Sequence, residues 1–393
     1  MKAVLLTCST GQGHNSAAMA VAAALTERGF TCETQDALDF LGENVGEAIE
    51  GAFVNIAVKT PRAFGFMYQA GEFISSDRRK SPVYYANALY AENLLRYLVE
   101  HEIDAAICPH LFPAEALTYL KRKQKLTTKA FFVSTDYTCI PFLEETDMDA
   151  VFLPSAALSP LFTKRGVPED RQVVSGIPVM EKYRRRTSRD EARKSLDLPL
   201  DVPAYLIMTG GDGCGDPIAL TRKLIERCKG KDMRCIVMVG RNAALGETLT
   251  RRYHGDPRVV VVPFTEQVAL YMDACDVLLT KPGGISSTEA AVKGIPIIHT
   301  APIPGCETIN AQFFAERGMS ILASTAELAA ANAVRLGDDV LQMNRMREAQ
   351  RQYMIPGAAD RIASFVYDAV AESYPTEPEN GMEGEAEPDI PAV

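Results

Sequence analysis

Short apolar runs alternate with amphipathic helical stretches along almost the whole chain, and this constrains the fold more than any other feature. Strand-like runs fall at residues 3–7, 32–35, 105–108, 130–134, 151–153 and 172–174. A second series falls at 204–208, 235–239, 259–262, 277–279, 296–299 and 320–322. Runs this continuously apolar suit strands buried on both faces, and helices between them imply parallel crossovers. The fold class is therefore α/β, with parallel sheets covered on both sides. The pattern restarts after about residue 185, beyond a Pro- and Arg-rich stretch, and 393 residues suit two domains. The boundary is expected within 176–186, giving domains of 1–178 and 179–357. Residues 42–100 hold no clear strand. They read as helices covering the sheet, or as an apolar, base-flanked face that lies on anionic lipid.

The loops after several strands carry the chemistry. Residues 277–279 lead into Lys281-Pro282-Gly283-Gly284, and a helix is expected next, capped by Ser286 or Ser287. The first N–H groups of a helix lack intrahelical partners and the dipole attracts negative charge, so Gly283 and Gly284 can present backbone to an anion. Ser286 and Thr288 supply hydroxyls. Glu289 can accept hydrogen bonds from a ribose diol, or is simply an acid favoured by the dipole. Glu307 and Asn310, after the next strand, are in reach of sugar hydroxyls. Residues 209–216, TGGDGCGD, place four glycines before another helix. Gly210, Gly211 and Gly213 suit a diphosphate cradle, or an ordinary strand-to-helix loop.

The loop after the first strand reads Thr10-Gly11-Gln12-Gly13-His14-Asn15-Ser16. Gly11 and Gly13 allow a tight turn with close backbone approach, with Asn15 beside them. His14 then lies near a helix N-terminus, which disfavours the imidazolium and leaves a neutral ring able to take a proton. A dinucleotide fingerprint with Asp36 as the ribose acid, and a histidine that only caps the helix, are the other readings. Asp136, in Ser134-Thr135-Asp136-Tyr137, is placed to orient His14, contact an acceptor or cap a turn. Asp147-Met148-Asp149 has a DxD shape but reads as the end of a loop.

Composition narrows the class. Six of the ten net negative charges sit in the tail 375–393, which is expected to be disordered. The remaining body is mildly acidic and does not suit a nucleic-acid binder. No run nears the roughly 18 apolar residues a spanning helix needs. The nine cysteines lack metal spacing and read as buried, reduced thiols. The N-terminus reads as a first strand and not as a signal peptide.

Taken together and in order, STGQGHNSAA, VSTDYTCIPF, GIPV, the 210–215 glycine loop, KPGGISSTEAAVKGIPII and PIPGCETIN resemble the motifs of one family. It is the monogalactosyldiacylglycerol synthase and processive diacylglycerol glucosyltransferase family, inverting GT-B glycosyltransferases related to the peptidoglycan GlcNAc transferase. The resemblance covers about residues 2–370. It implies two Rossmann-like domains facing a cleft, and a final helix in 358–374 that crosses back to the first. His14 would be the general base. Gly210, Gly211 and Gly213 would cradle UDP, Glu289 would bind ribose, and Glu307 and Asn310 would contact the donor sugar. The partners implied are a UDP-sugar, a lipid acceptor (diacylglycerol first, a polyprenyl carrier second) and an anionic membrane surface. No metal or other cofactor and no nucleic acid is implied. Placement is peripheral, on the cytoplasmic face of the plasma membrane. A GT-B epimerase or hydrolase is the alternative. The chain departs from the family at Cys306, where a Gln is usual, at Asp212 in the donor loop, and after Asp136, where a His and a Trp are common. Those departures leave the sugar and the lipid open.

Overall fold

The computed structural model describes residues 1–8, 12–42, 80–208, 216–300 and 302–373. Two sheets, each of six parallel strands, form the framework. The first is ordered β2-β1-β3-β4-β5-β6, from β1 (Lys2–Thr7), β2 (Thr31–Asp36), β3 (Ala105–Cys108), β4 (Lys129–Val133), β5 (Ala150–Leu153) and β6 (Gln172–Val174). The second is ordered β12-β11-β10-β7-β8-β9. Its strands are β7 (Ala204–Met208), β8 (Arg234–Gly240), β9 (Val259–Pro263), β10 (Val277–Thr280), β11 (Ile297–Thr300) and β12 (Ile321–Ala323). The central strands are buried on both faces, which is why they are apolar throughout. Edge strand β2 (TCETQD) is polar and half exposed.

In each sheet the strand order reverses beside the strand that opens its domain. Ligands of open α/β sheets bind at the carboxyl ends of the strands flanking such a reversal. In the first sheet these are β1 and β3, which lead to the His14 loop and to Pro109. In the second they are β7 and β10, which lead to residues 209–215 and to Lys281.

Six helices matter for the site: α1 (Gln12–Thr26), α2 (Pro82–Ala88), α3 (Leu111–Arg122), α4 (Gly284–Lys293), α5 (Cys306–Glu316) and α6 (Ala358–Ala371). The last lies on the first sheet although it ends the described chain. Ile362, Ala363 and Val366 are fully buried with Leu5, Ile107, Phe131 and Phe152. Two segments cross between the domains side by side. Gly176 (φ +88°) is so close to the returning chain that a Cβ there would sit 2.9 Å from Ile355 Cβ. Arg184 Nη1 reaches Asp360 at 2.7 Å across the same junction.

All eight described cysteines are free thiols, and Cys8, Cys108, Cys139, Cys228, Cys235 and Cys275 are buried. Asp149 accepts from the Ala130 amide at 2.7 Å and from Lys121, and Asp147 pairs with Arg171, so the DxD segment braces β4 and β5.

Candidate active site

The first domain's side of the cleft is built from loops at the ends of β1, β3 and β4. His14 lies in the first turn of α1. Its Nδ1 is 2.8 Å from the Pro109 carbonyl, and the Thr135 hydroxyl is 3.2 Å from the same nitrogen. A carbonyl can only accept, so Nδ1 carries the proton and Nε2 keeps its lone pair. Burial holds the ring below its ordinary value, against the Asp136 charge and the Pro109 bond, which favour protonation. His14 is thus a neutral base of fixed tautomer. His110 meets it edge-on at 4.8 Å between ring centroids. The His110 Nδ1 caps α3 by accepting from the Phe112 amide at 3.3 Å, and burial, with His14 nearby, pushes that ring well below its usual range. Asn15 Oδ1 is buried and has no hydrogen-bond partner among the described residues.

The second domain's side differs from the sequence expectation in how it begins. Neither Ser286 nor Ser287 caps α4: the cap residue is Gly283 and the helix starts at Gly284. The Ser286 hydroxyl donates to the Gly283 carbonyl at 3.3 Å. Ser287 turns inward to His299 Nε2 at 3.0 Å. The reason is a close approach. A Cβ on Gly284 would lie 1.9 Å from the Thr135 carbonyl oxygen of the other domain. Gly284 is therefore pressed against protein, and the half-buried Gly283 is the more open of the two.

Glu289 is buried, with Ser16 Oγ 3.4 Å away and hydrogen-bonded to Tyr183. Burial pushes its carboxyl up to about 7, while Lys182, Ser16 and Tyr183 pull it down. Glu307 is held by Lys281 Nζ at 2.8 Å and by the Ile303 amide at 2.9 Å. Thr288 and Asn310, expected to face a donor, are buried and do not face an open surface in this arrangement. Thr288 donates to the Gly284 carbonyl at 2.7 Å and meets the Tyr137 hydroxyl at 2.8 Å. Asn310 is fully buried, and its amide reaches Asp136, Tyr137 and Pro282. The structure thus brings His14, Asp136, Gly283, Gly284, Glu289 and Asn310 to one cleft. Gly11, Gly210, Gly211 and Gly213 lie outside the described residues. Sequence reasoning missed the Pro109 carbonyl, Thr135 and Tyr137; only the position of Thr135 and Tyr137 beside Asp136 at a strand end hinted at them.

A family model described as monogalactosyldiacylglycerol (MGDG) synthase matches residues 14–179. The chain is similar to the monogalactosyldiacylglycerol synthase family. A probable monogalactosyldiacylglycerol synthase 2 of Oryza sativa subsp. indica is 29% identical over 350 residues, covering 84% of this chain and 72% of its own. A processive diacylglycerol beta-glucosyltransferase of Bacillus thuringiensis is 24% identical over 375 residues, covering 93% of each. Acinetobacter baumannii MurG superposes with a TM-score of 0.62 at 15% identity, over 93% of this chain and 99% of MurG. The fold is GT-B.

Proposed function

We propose that this protein is a glycosyltransferase that moves a hexose from a UDP-sugar to diacylglycerol with inversion at the anomeric carbon. The observation that carries the reading is His14. It is a neutral imidazole with a free Nε2, at the reversal point of one sheet, facing a helix N-terminus at the reversal point of the other. His14 Nε2 takes the proton of the acceptor hydroxyl as that oxygen bonds to the anomeric carbon. The bond from that carbon to the UDP oxygen breaks, and UDP leaves with the electron pair. Backbone amides around Gly283, together with Gly210, Gly211 and Gly213, receive the charge on the leaving diphosphate. Glu289 holds the ribose. Asp136 balances the imidazolium that forms. The named activities of the rice and Bacillus relatives support diacylglycerol as acceptor.

The acceptor reaches the site from a lipid surface that we place on α2. Tyr85 and Leu89 are exposed there. Tyr84 beneath them has Lys80 and Arg122 over its ring, and Lys123 covers neighbouring Tyr119. Apolar side chains rimmed by bases suit an anionic headgroup layer. Among the described residues no helix is long and apolar enough to cross a membrane, so the proposal is peripheral attachment.

The test is purified protein with UDP-glucose, UDP-galactose or UDP-GlcNAc and vesicles containing diacylglycerol. Mass spectrometry reads the lipid product and NMR its anomeric configuration. A hexosyl-diacylglycerol that disappears in His14→Ala is expected. UDP release with no glycolipid, or equal activity in His14→Ala, refutes the reading.

A further inference from the structure

The loop after β4 does more than supply Asp136: it is clasped by the donor domain. Asn310, on α5, uses all three of its polar positions. Its Oδ1 accepts from the Tyr137 amide at 2.7 Å. One Nδ2 hydrogen goes to Asp136 Oδ1 at 2.7 Å, and the other goes to the Pro282 carbonyl at 3.1 Å, within its own domain. Pro282 therefore fixes the amide that reaches across the cleft. Tyr137 closes the clasp. Its ring stacks on Phe313 at 4.6 Å and meets Phe314 edge-on at 5.1 Å. The Thr288 proton goes to the Gly284 carbonyl, so the Tyr137 hydroxyl donates toward Thr288 at 2.8 Å and Met354 Sδ at 3.3 Å.

We propose that Asn310 of the donor domain is a positioning residue for the base: by gripping Asp136 across the closed cleft, it holds that carboxylate beside His14. This rests on the transferase reading above. Asp136 sits in a crevice where burial favours its neutral form and Glu307 repels its charge, while the Asn310 hydrogen bond, His14 and Lys281 favour ionisation. Among these, Asn310 is the neutral donor, and it comes from the other domain. Without that bond the carboxyl in this closed cleft is driven further toward its neutral form, and the charge that supports an imidazolium on His14 weakens. His110, the other ring packed on His14, is neutral and cannot replace it. It follows that Asn310 acts on proton transfer and not on grip of the sugar.

The experiment follows the His14 imidazole by NMR pH titration in the full-length, ligand-free protein, with the His14 signal assigned through His14→Gln. Asn310→Leu keeps the shape and removes the hydrogen bonds, and Asp136→Asn removes the charge. Each is expected to move the His14 titration to lower pH. The double variant should move it no further than Asp136→Asn alone. In turnover, Asn310→Leu should lower kcat about tenfold and carry the acid limb of its pH profile downward, with donor KM within twofold of the parent. Additive shifts in the double variant, or a raised donor KM with an unmoved acid limb, overturn the proposal. If Asn310→Leu does not fold, Tyr137→Phe, which loosens the clasp by one hydroxyl, must give a smaller shift in the same direction, and an unmoved titration there overturns it. The titration needs no substrate, so a parent protein without transferase activity would sink the transferase reading while leaving the clasp to be judged by itself.

Discussion

Replacing Gly284 by Ala sets two physical effects against each other. Gly284 opens α4 with no positive φ, so helix propensity alone favours Ala, by up to about 1 kcal/mol. The cross-cleft geometry says the opposite. The new Cβ would sit 1.9 Å from the Thr135 carbonyl oxygen and 3.1 Å from Asp136 Oδ1. Neither neighbour is the free end of a flexible chain, so the domains must part by about 1.5 Å to restore ordinary contact. Hydrogen bonds at 2.7–2.8 Å, from Asn310 to Asp136, from Tyr137 to Asn310 and from Tyr137 to Thr288, would then exceed bonding distance. At about 1 kcal/mol net for each, closure loses about 3 kcal/mol, or on the order of a hundredfold in closed population. The expected result is kcat down about a hundredfold in UDP-release kinetics with diacylglycerol vesicles, and a thermal midpoint within a few degrees of the parent. A kcat within twofold of the parent would refute the reasoning, because the approach of Gly284 to Thr135 would then have no part in the working state.

Other expectations are as follows. His14→Gln should reduce kcat by about 10²–10⁴ while UDP binding, read by calorimetry, stays within threefold. Glu289 holds a proton in the folded protein up to about pH 7 that the unfolded chain releases near 4.5. Its contribution is therefore fully present below pH 4.5 and is lost as pH rises through 7, by about 3 kcal/mol in all. Glu289→Gln should thus raise the melting temperature relative to the parent more at pH 8 than at pH 5; an equal difference at both would rule this out. Tyr85→Ser with Leu89→Ser should weaken co-sedimentation with anionic vesicles at least fivefold and leave binding of UDP unchanged.

The framework was legible because its strands are buried on both faces. An apolar run in a polar context marks such a strand, and only ends such as that of β4 moved by a residue. The local chemistry of His14 was legible for the same reason: a loop after a first strand must emerge at the sheet's carboxyl edge. What could not be read is what the opposite domain does to it. Ser286 and Ser287 looked like caps because serine usually caps, yet the helix starts at Gly284, where the lack of a side chain admits the Thr135 carbonyl. The glycine was recognised; the object approaching it was taken for a phosphate. Asn310 and Asp136 are 174 positions apart, and no periodicity or spacing links such a pair. Tyr137 in sequence is merely an aromatic after an acid, and its stacking on Phe313 exists only once both sheets have formed.

The return of α6 to the first sheet has a consequence for motion. The domains are joined by a double spine, with Gly176 lying against Ile355 and Arg184 tied to Asp360. A single tether would permit sliding and twisting as well as opening. Two adjacent strands of chain leave one easy freedom, rotation about the line they share. A cleft that swings on such a fixed hinge returns to the same register at every closure. Residues as distant in sequence as Thr135 and Gly284 can then meet repeatedly to within a fraction of an ångström, with no need to search for one another.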